Sequence, residues 1–190
     1  LARELKKMGV NVIYYISPQV WAWKENRVHT VKEFTDRMMV LFDFEQEFYA
    51  RYGLDVAFVG HPFVDTVRAG QPRETVLAQQ GLSSQKPVIG LLPGSRPKEI
   101  ELMLPVMAQA VSLLRQKHPG LQFLLIKAPT IDRQMIVKYL RLGAAAVHIF
   151  EGATYDGINA CDLCMVTSGT ATLETALLNK PMTVIYRTSL

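Results

Sequence analysis

Cysteine is scarce in this chain. Its 190 residues hold two, Cys161 and Cys164, beside four histidines. That count excludes a disulfide-built scaffold and makes a reducing compartment the default. The two form the string CDLC, nominally half of a redox or metal motif, but with no second pair and no nearby histidine. They read as small buried hydrophobes at the start of a strand. Long hydrophobic runs are missing as well. No apolar stretch reaches the roughly 18 residues that a membrane span needs, and no signal-peptide pattern opens the chain. Nor is there a run of Lys and Arg, a zinc-finger spacing, or a basic stripe interleaved with aromatics, so nothing points to nucleic acid. The charge balance, 21 basic against 17 acidic residues for a net of +4, suits an anionic ligand or an anionic membrane surface.

What the chain does have is apolar content, 49% of its residues, enough for one large or two modest domains. Strand and helix patterns alternate. Strands are expected at Val10–Ser17, Arg37–Phe42, Asp55–Gly60, Pro87–Pro93, Leu121–Pro129, Ala146–Gly152, Asp162–Gly169 and Pro181–Arg187. Helical patterns separate them, including Asp132–Gly143. The longest runs over Glu99–Lys117, with apolar residues at 100, 103, 104, 107, 111 and 114 on one face. Pro105 interrupts it, and the helix proper is expected to begin near Leu104. Nearly continuous apolar strands between helices mean parallel sheets covered on both faces. The rhythm breaks between His61 and Lys86, where Pro62, Gly70, Pro72, Gly81 and two serines occur. The expected division is residues 1–66, a linker with an opening helix at 67–85, and a second α/β domain at 86–190, with a cleft between the two Rossmann-like domains. Both ends read as cut, the first on the last turns of a helix and the last just past a strand, so the expectation is an excerpt of a longer protein.

Two strand ends carry chemistry. In LLPGSRPKE, Pro93 and Gly94 turn the chain off a strand, Gly94 removes a Cβ from the path of a ligand, Ser95 offers a hydroxyl, and Arg96 offers a planar fork of donors suited to phosphate. The alternative makes Ser95 a helix cap and Arg96 a solvated arginine. In TSGTATLETALLNKP, Ser168, Gly169 and Thr170 lead from a strand into a helix. The first amides of that helix lack internal partners and face the positive end of its dipole, which suits an anion. Glu174 lies four residues after Thr170, one turn along the same face, so it is misplaced for a capping box. It would repel a phosphate held directly but suits a neutral diol just beyond one, as on a ribose. The alternative is a surface glutamate paired with Lys180.

Together SPQVWAW, FVGHPFVD, LLPGSRPKEI and EGATYDGINACDLCMVTSGTATLETALLNKPM resemble lipid-A-disaccharide synthases, essentially from end to end. The resemblance implies a glycosyltransferase of the two-Rossmann-domain (GT-B) type, with both domains incomplete in this stretch. It implies inverting transfer of 2,3-diacylglucosamine from its UDP-linked donor to 2,3-diacylglucosamine 1-phosphate, giving the β-1,6 disaccharide of lipid A. It further implies a carboxyl-side domain that holds UDP, the GSR turn and the amides at Ser168–Thr170 on the pyrophosphate, Glu174 on the ribose, and no metal or other cofactor. The enzyme would work in the cytoplasm, peripherally at the inner face of the membrane. The catalytic base is expected outside this stretch, which alone is expected to be inactive. His61, in GHP, is a candidate at the cleft or an ordinary turn residue. Trp21 and Trp23 would line an acyl or sugar pocket or serve packing alone. A UDP-sugar epimerase of the same architecture and a non-catalytic nucleotide-sugar-binding module are the other classes open.

Overall fold

In the computed structural model, which describes residues 1–140 and 147–187, the chain divides into two compact units, Leu1–Val64 and Asp65–Leu190. The first runs α1 (Ala2–Lys7), β1 (Ile13–Tyr15), α2 (Arg27–Phe34), β2 (Arg37–Val40), α3 (Asp43–Ala50) and β3 (Val56–Phe58). Its strands form one parallel sheet in the order β1-β2-β3. Met38, Val40, Phe48 and Tyr49 fill its core with Val28 and Val31 of α2. β1 is shorter than the β-branched pattern over 10–17 predicts. The Val12 amide is taken by the Asp36 carboxylate at 2.8 Å, and Ile16 adopts a left-handed φ of 67°. Those two features confine the β1 ladder to three residues.

A turn of helix, α4 (Phe63–Thr66), leads out of the first unit, and α5 (Arg73–Gln79) opens the second. There follow β4 (Val88–Leu92), α6 (Pro97–Lys117), β5 (Gln122–Ile126), α7 (Arg133–Leu140), β6 (His148–Phe150), α8 (Thr154–Asn159), β7 (Leu163–Thr167), α9 (Thr170–Leu177) and β8 (Met182–Ile185). The five strands are all parallel in the order β6-β5-β4-β7-β8. Both units are therefore parallel α/β, as the alternation of elements predicts. The expected helix residues 141–143 and the expected strand residue Ala146 lie outside the described residues.

The period of two along β4 explains why the second sheet is covered twice. Val88 and Leu92 face a core with Val76, Leu77, Ile158, Cys164 and Val166. Ile89 and Leu91 face the opposite core, under Ile100, Leu104, Met107 and Val111 of α6. Gly90 shares the first face, where a Cβ would lie 2.9 Å from the sulfurs of both Cys161 and Cys164. The two thiols are free and fully buried, as the sequence suggests.

Pro105 does not break α6, which runs unbroken from Pro97 to Lys117 and so contradicts the start near Leu104 expected from sequence. The proline costs the bond to the carbonyl of Glu101, an exposed residue whose side of the helix faces water. Against a loss of about 3 kcal/mol stand six buried side chains, Ile100 to Val111, each contributing roughly 1–3 kcal/mol. Packing on the sheet outweighs propensity.

Strand order reverses between β4 and β7, which are neighbours with Leu92 opposite Val166. At such a switch point the connections leave toward opposite faces of the sheet, and a crevice opens outside the carboxyl ends of the strands.

Candidate functional site

The β4–α6 turn is built around a glutamate. Glu99, the third residue of α6, accepts the amides of Ser95 at 2.9 Å and Arg96 at 3.2 Å through Oε2. Its Oε1 accepts Arg96 Nη1 at 2.9 Å. Gly94 has φ +119°, and a Cβ there would lie 2.5 Å from Glu99 Oε2 and 2.6 Å from Glu99 Cβ. Glycine is thus demanded by the glutamate that ties the turn. The helix cap is Arg96 with Glu99 rather than a Ser95 hydroxyl, and Thr130 Oγ1 secures the turn from outside by donating to the Ser95 carbonyl at 2.7 Å. The Arg96 side chain is 80% exposed, so its contact with Glu99 is weak and its fork can be recruited.

The β7–α9 turn lies beside it. Ser168 keeps its amide in the sheet by donating to Ile185, Gly169 is the residue before the helix, and no side chain caps α9. The amino end of α9 thus keeps amides for an external acceptor. One turn on, Glu174 Oε1 accepts the Tyr155 hydroxyl of α8 at 3.0 Å. Burial, then this bond to a carboxylate, push the Tyr155 pKa up, so the phenol is held as a donor.

The two turns, the start of α8 and the residues after β5 enclose one cavity of about 570 Å³. Gly94, Ser95, Arg96, Ser168, Gly169, Thr170 and Glu174 all line it, joined by Glu99, Pro129, Thr154, Tyr155 and Thr167. Residues more than 70 positions apart in sequence thus meet at one place. Its floor is apolar, from Leu92, Ile126 and Ala128, while its polar groups lie on the two turns and α8. Arg96 is the one lysine or arginine among the described lining residues. Among the described residues no group of three or more His, Cys, Asp or Glu side chains could hold a metal ion. The cavity offers amides and a guanidinium to an anion, and a fixed carboxylate to a hydroxyl one helical turn away.

Residues 1–190, the whole chain, match the family described as lipid-A-disaccharide synthetase. The chain belongs to that family. A lipid-A-disaccharide synthase from Syntrophus aciditrophicus is 45% identical over 190 residues, which are all of this chain and 50% of that protein. The chain spans about half the length of the curated relatives it matches. Solved structures reproduce the fold at low identity. A UDP-GlcNAc 2-epimerase from Neisseria meningitidis, bound to UDP-GlcNAc, superposes with a TM-score of 0.64 at 12% identity, over 99% of this chain and 56% of the other. HepE from Anabaena, in complex with UDP-glucose, gives 0.55 at 18% identity, over 96% of this chain and 55% of the other.

The remaining candidates belong to the first unit and do not line this cavity. Trp21 donates its indole N–H to Glu45 Oε1 at 3.1 Å and meets Phe44 edge-on at 4.9 Å. Glu45 is 3% exposed and also takes the Ser17 hydroxyl and the amides of Leu41 and Phe42. Trp21 is therefore part of a satisfied buried network, whereas Trp23 is 62% exposed with Lys24 over its ring. His61 Nδ1 accepts the Phe63 amide at 3.1 Å. With Nδ1 accepting that bond, Nε2 is the nitrogen that carries the ring hydrogen. Ring contacts run from Trp21 through Phe44 and Phe42 to His61 and Phe63, all following the carboxyl ends of the three strands.

Sequence reasoning missed Glu99 and Tyr155 in the cavity wall. Glu99 had a signal, since Pro97 and Glu99 sit at the first and third helical positions after Arg96. Tyr155 had none, because its bond to Glu174 spans 19 residues of chain.

Proposed function

We propose that the cavity of the second unit receives a UDP-sugar, and that the protein transfers 2,3-diacylglucosamine from UDP to 2,3-diacylglucosamine 1-phosphate. The product is the β-1,6-linked disaccharide of lipid A. The observation that carries this reading is the meeting of an uncapped helix end, Arg96 and a fixed Glu174 in one crevice at the strand-order switch. Family membership supplies the sugar and the lipid.

In the proposed reaction the acceptor 6-hydroxyl attacks C1 of the donor sugar on the face opposite UDP. The C1–O bond to UDP breaks as the new C1–O6 bond forms, and the configuration inverts. A base from the rest of the protein takes the hydroxyl proton. Charge develops on the leaving β-phosphate, where the α9 amides and Arg96 meet it, so no metal is required. Glu174 accepts a ribose hydroxyl. His61, with Nδ1 engaged, is assigned to the acceptor side as a donor through Nε2, and the aromatic chain from Trp21 to Phe63 offers an apolar surface for acyl chains. No helix among the described residues is long and apolar enough to cross a membrane. Peripheral contact at the inner face of the cytoplasmic membrane fits the positive balance and the exposed Trp23, Phe42, Phe44 and Phe58.

Incubating the full-length protein with both lipids tests this reading. Radiolabelled disaccharide and one UDP per disaccharide are expected. Nucleotide binding without disaccharide, or epimerisation of a UDP-amino sugar, would replace it with one of the other classes of this fold.

A further inference from the structure

Thr167, the last residue of β7, is 4% exposed, and its hydroxyl has no hydrogen-bond partner among the described residues. Two hydroxyls further along, on α9, are satisfied. Thr172 Oγ1 donates to the Gly169 carbonyl and Thr175 Oγ1 to the Ala171 carbonyl, each at 2.7 Å. A buried hydroxyl without a partner is costly, and native folds seldom keep one without a use for it. Thr35 is in the same condition, but it belongs to the first unit, at the end of α2, and is not among the residues that line this cavity. Thr167 instead forms part of the cavity wall, beside the uncapped start of α9.

Its place in the strand explains how the residue comes to the wall. Along β7, Cys164 and Val166 face one core, and Met165, on the other face, packs against the core under α6. Thr167 shares the parity of Met165, and its backbone is fixed in the sheet opposite Ile185. The next three residues leave the sheet for α9. The hydroxyl therefore stands at the base of the turn whose amides offer the anion site.

We propose that Thr167 Oγ1 donates a hydrogen bond to a phosphate oxygen of the bound nucleotide, so that the anion-holding element begins in strand β7 and not at the helix. This rests on reading the cavity as a UDP site. Thr167 is then a phosphate contact whose donor has no other acceptor among the described residues.

Calorimetric titration of UDP into full-length wild-type, Thr167→Val and Thr167→Ser proteins, with melting curves of each without nucleotide, tests the assignment. Val keeps the shape and removes a hydroxyl that the fold does not use. The expected result is an unchanged or raised melting temperature without ligand, a UDP Kd weakened by roughly tenfold or more, and near-wild-type affinity in the Ser variant. A Val variant that binds UDP like wild type overturns the Thr167 contact and leaves the UDP site standing. One whose nucleotide-free stability falls along with affinity makes Thr167 structural and overturns it too. Wild-type protein that does not bind UDP removes the site reading and this assignment together.

Discussion

Glu174 presents one carboxylate with two oxygens, and Oε1 is engaged by Tyr155. Holding one oxygen fixes the aim of the other without neutralising the charge. Glu174→Gln keeps the shape and can keep the Tyr155 bond, but it replaces a charged acceptor by a neutral one. Hydrogen bonds to charged groups contribute about 1.5–3 kcal/mol against about 1 for neutral ones. The donor KM of the full-length enzyme should rise several-fold to tenfold, and discrimination against a 2′-deoxyribose donor should shrink. Full retention of that discrimination in steady-state kinetics would make Glu174 a bystander. The cysteines are a second case. Cys161 is pushed well above the usual thiol range, chiefly by its hydrogen bond to Cys164 and further by burial, while Cys164 is lowered by receiving that bond against the opposing effect of burial. A raised pKa means that Cys161 stays protonated as pH climbs from 7 to 9, and both thiols are fully buried. Mass spectrometry after N-ethylmaleimide treatment should find no adduct on the native protein over that range and two on the unfolded chain.

Elements were legible in order and type because their periodicity is strong, and less legible at their edges because edges are decided by contacts distant in sequence. β1 is cut short by the carboxylate of Asp36, which lies 24 residues from Val12. α6 survives Pro105 because one face meets a sheet that local propensity cannot register. The two turns that line the cavity could be read from sequence because glycine and hydroxyl residues after an apolar run are local signals. The reason for Gly94 could not, since it follows from the Glu99 side chain folding back under the turn. For Trp21 the sequence left pocket lining and packing open, because a cleft-side tryptophan and a buried one have the same sequence signature, and its bond to Glu45, 24 residues away, is not a local signal. Gly90 in β4 carries a related lesson. Gly90→Ala would drive a methyl against both Cys161 and Cys164, so overpacking should destabilise the second unit by about 1–3 kcal/mol. Urea melts would show it as a lower midpoint at unchanged slope.

For the molecule as a whole, charge and exposed aromatics bear on the proposed membrane contact. With a net charge of +4 and no helix among the described residues fit to cross a bilayer, the full-length protein should leave isolated membranes as salt is raised. Retention through both high salt and mild detergent would require an integral anchor. The route by which the chain joins its second unit has a consequence of another kind. Asp156, 4% exposed on α8, accepts the amides of Gly70 at 2.6 Å and Gln71 at 3.0 Å through one oxygen and the Gln71 side chain at 3.2 Å through the other. Two residues after Gln71, Arg73 clasps Asp162 in a two-bonded ion pair at 2.9 and 3.0 Å, and Asp162 also takes the first amide of β4. A stretch without helix or strand is thus held as firmly as a ladder, at one carboxylate next in sequence to Tyr155. In deuterated water the amides of Gly70 and Gln71 should exchange on the slow timescale of the central sheet. Asp156→Asn, which keeps one acceptor oxygen but loses its charge, should release them to fast exchange before any strand amide changes its rate.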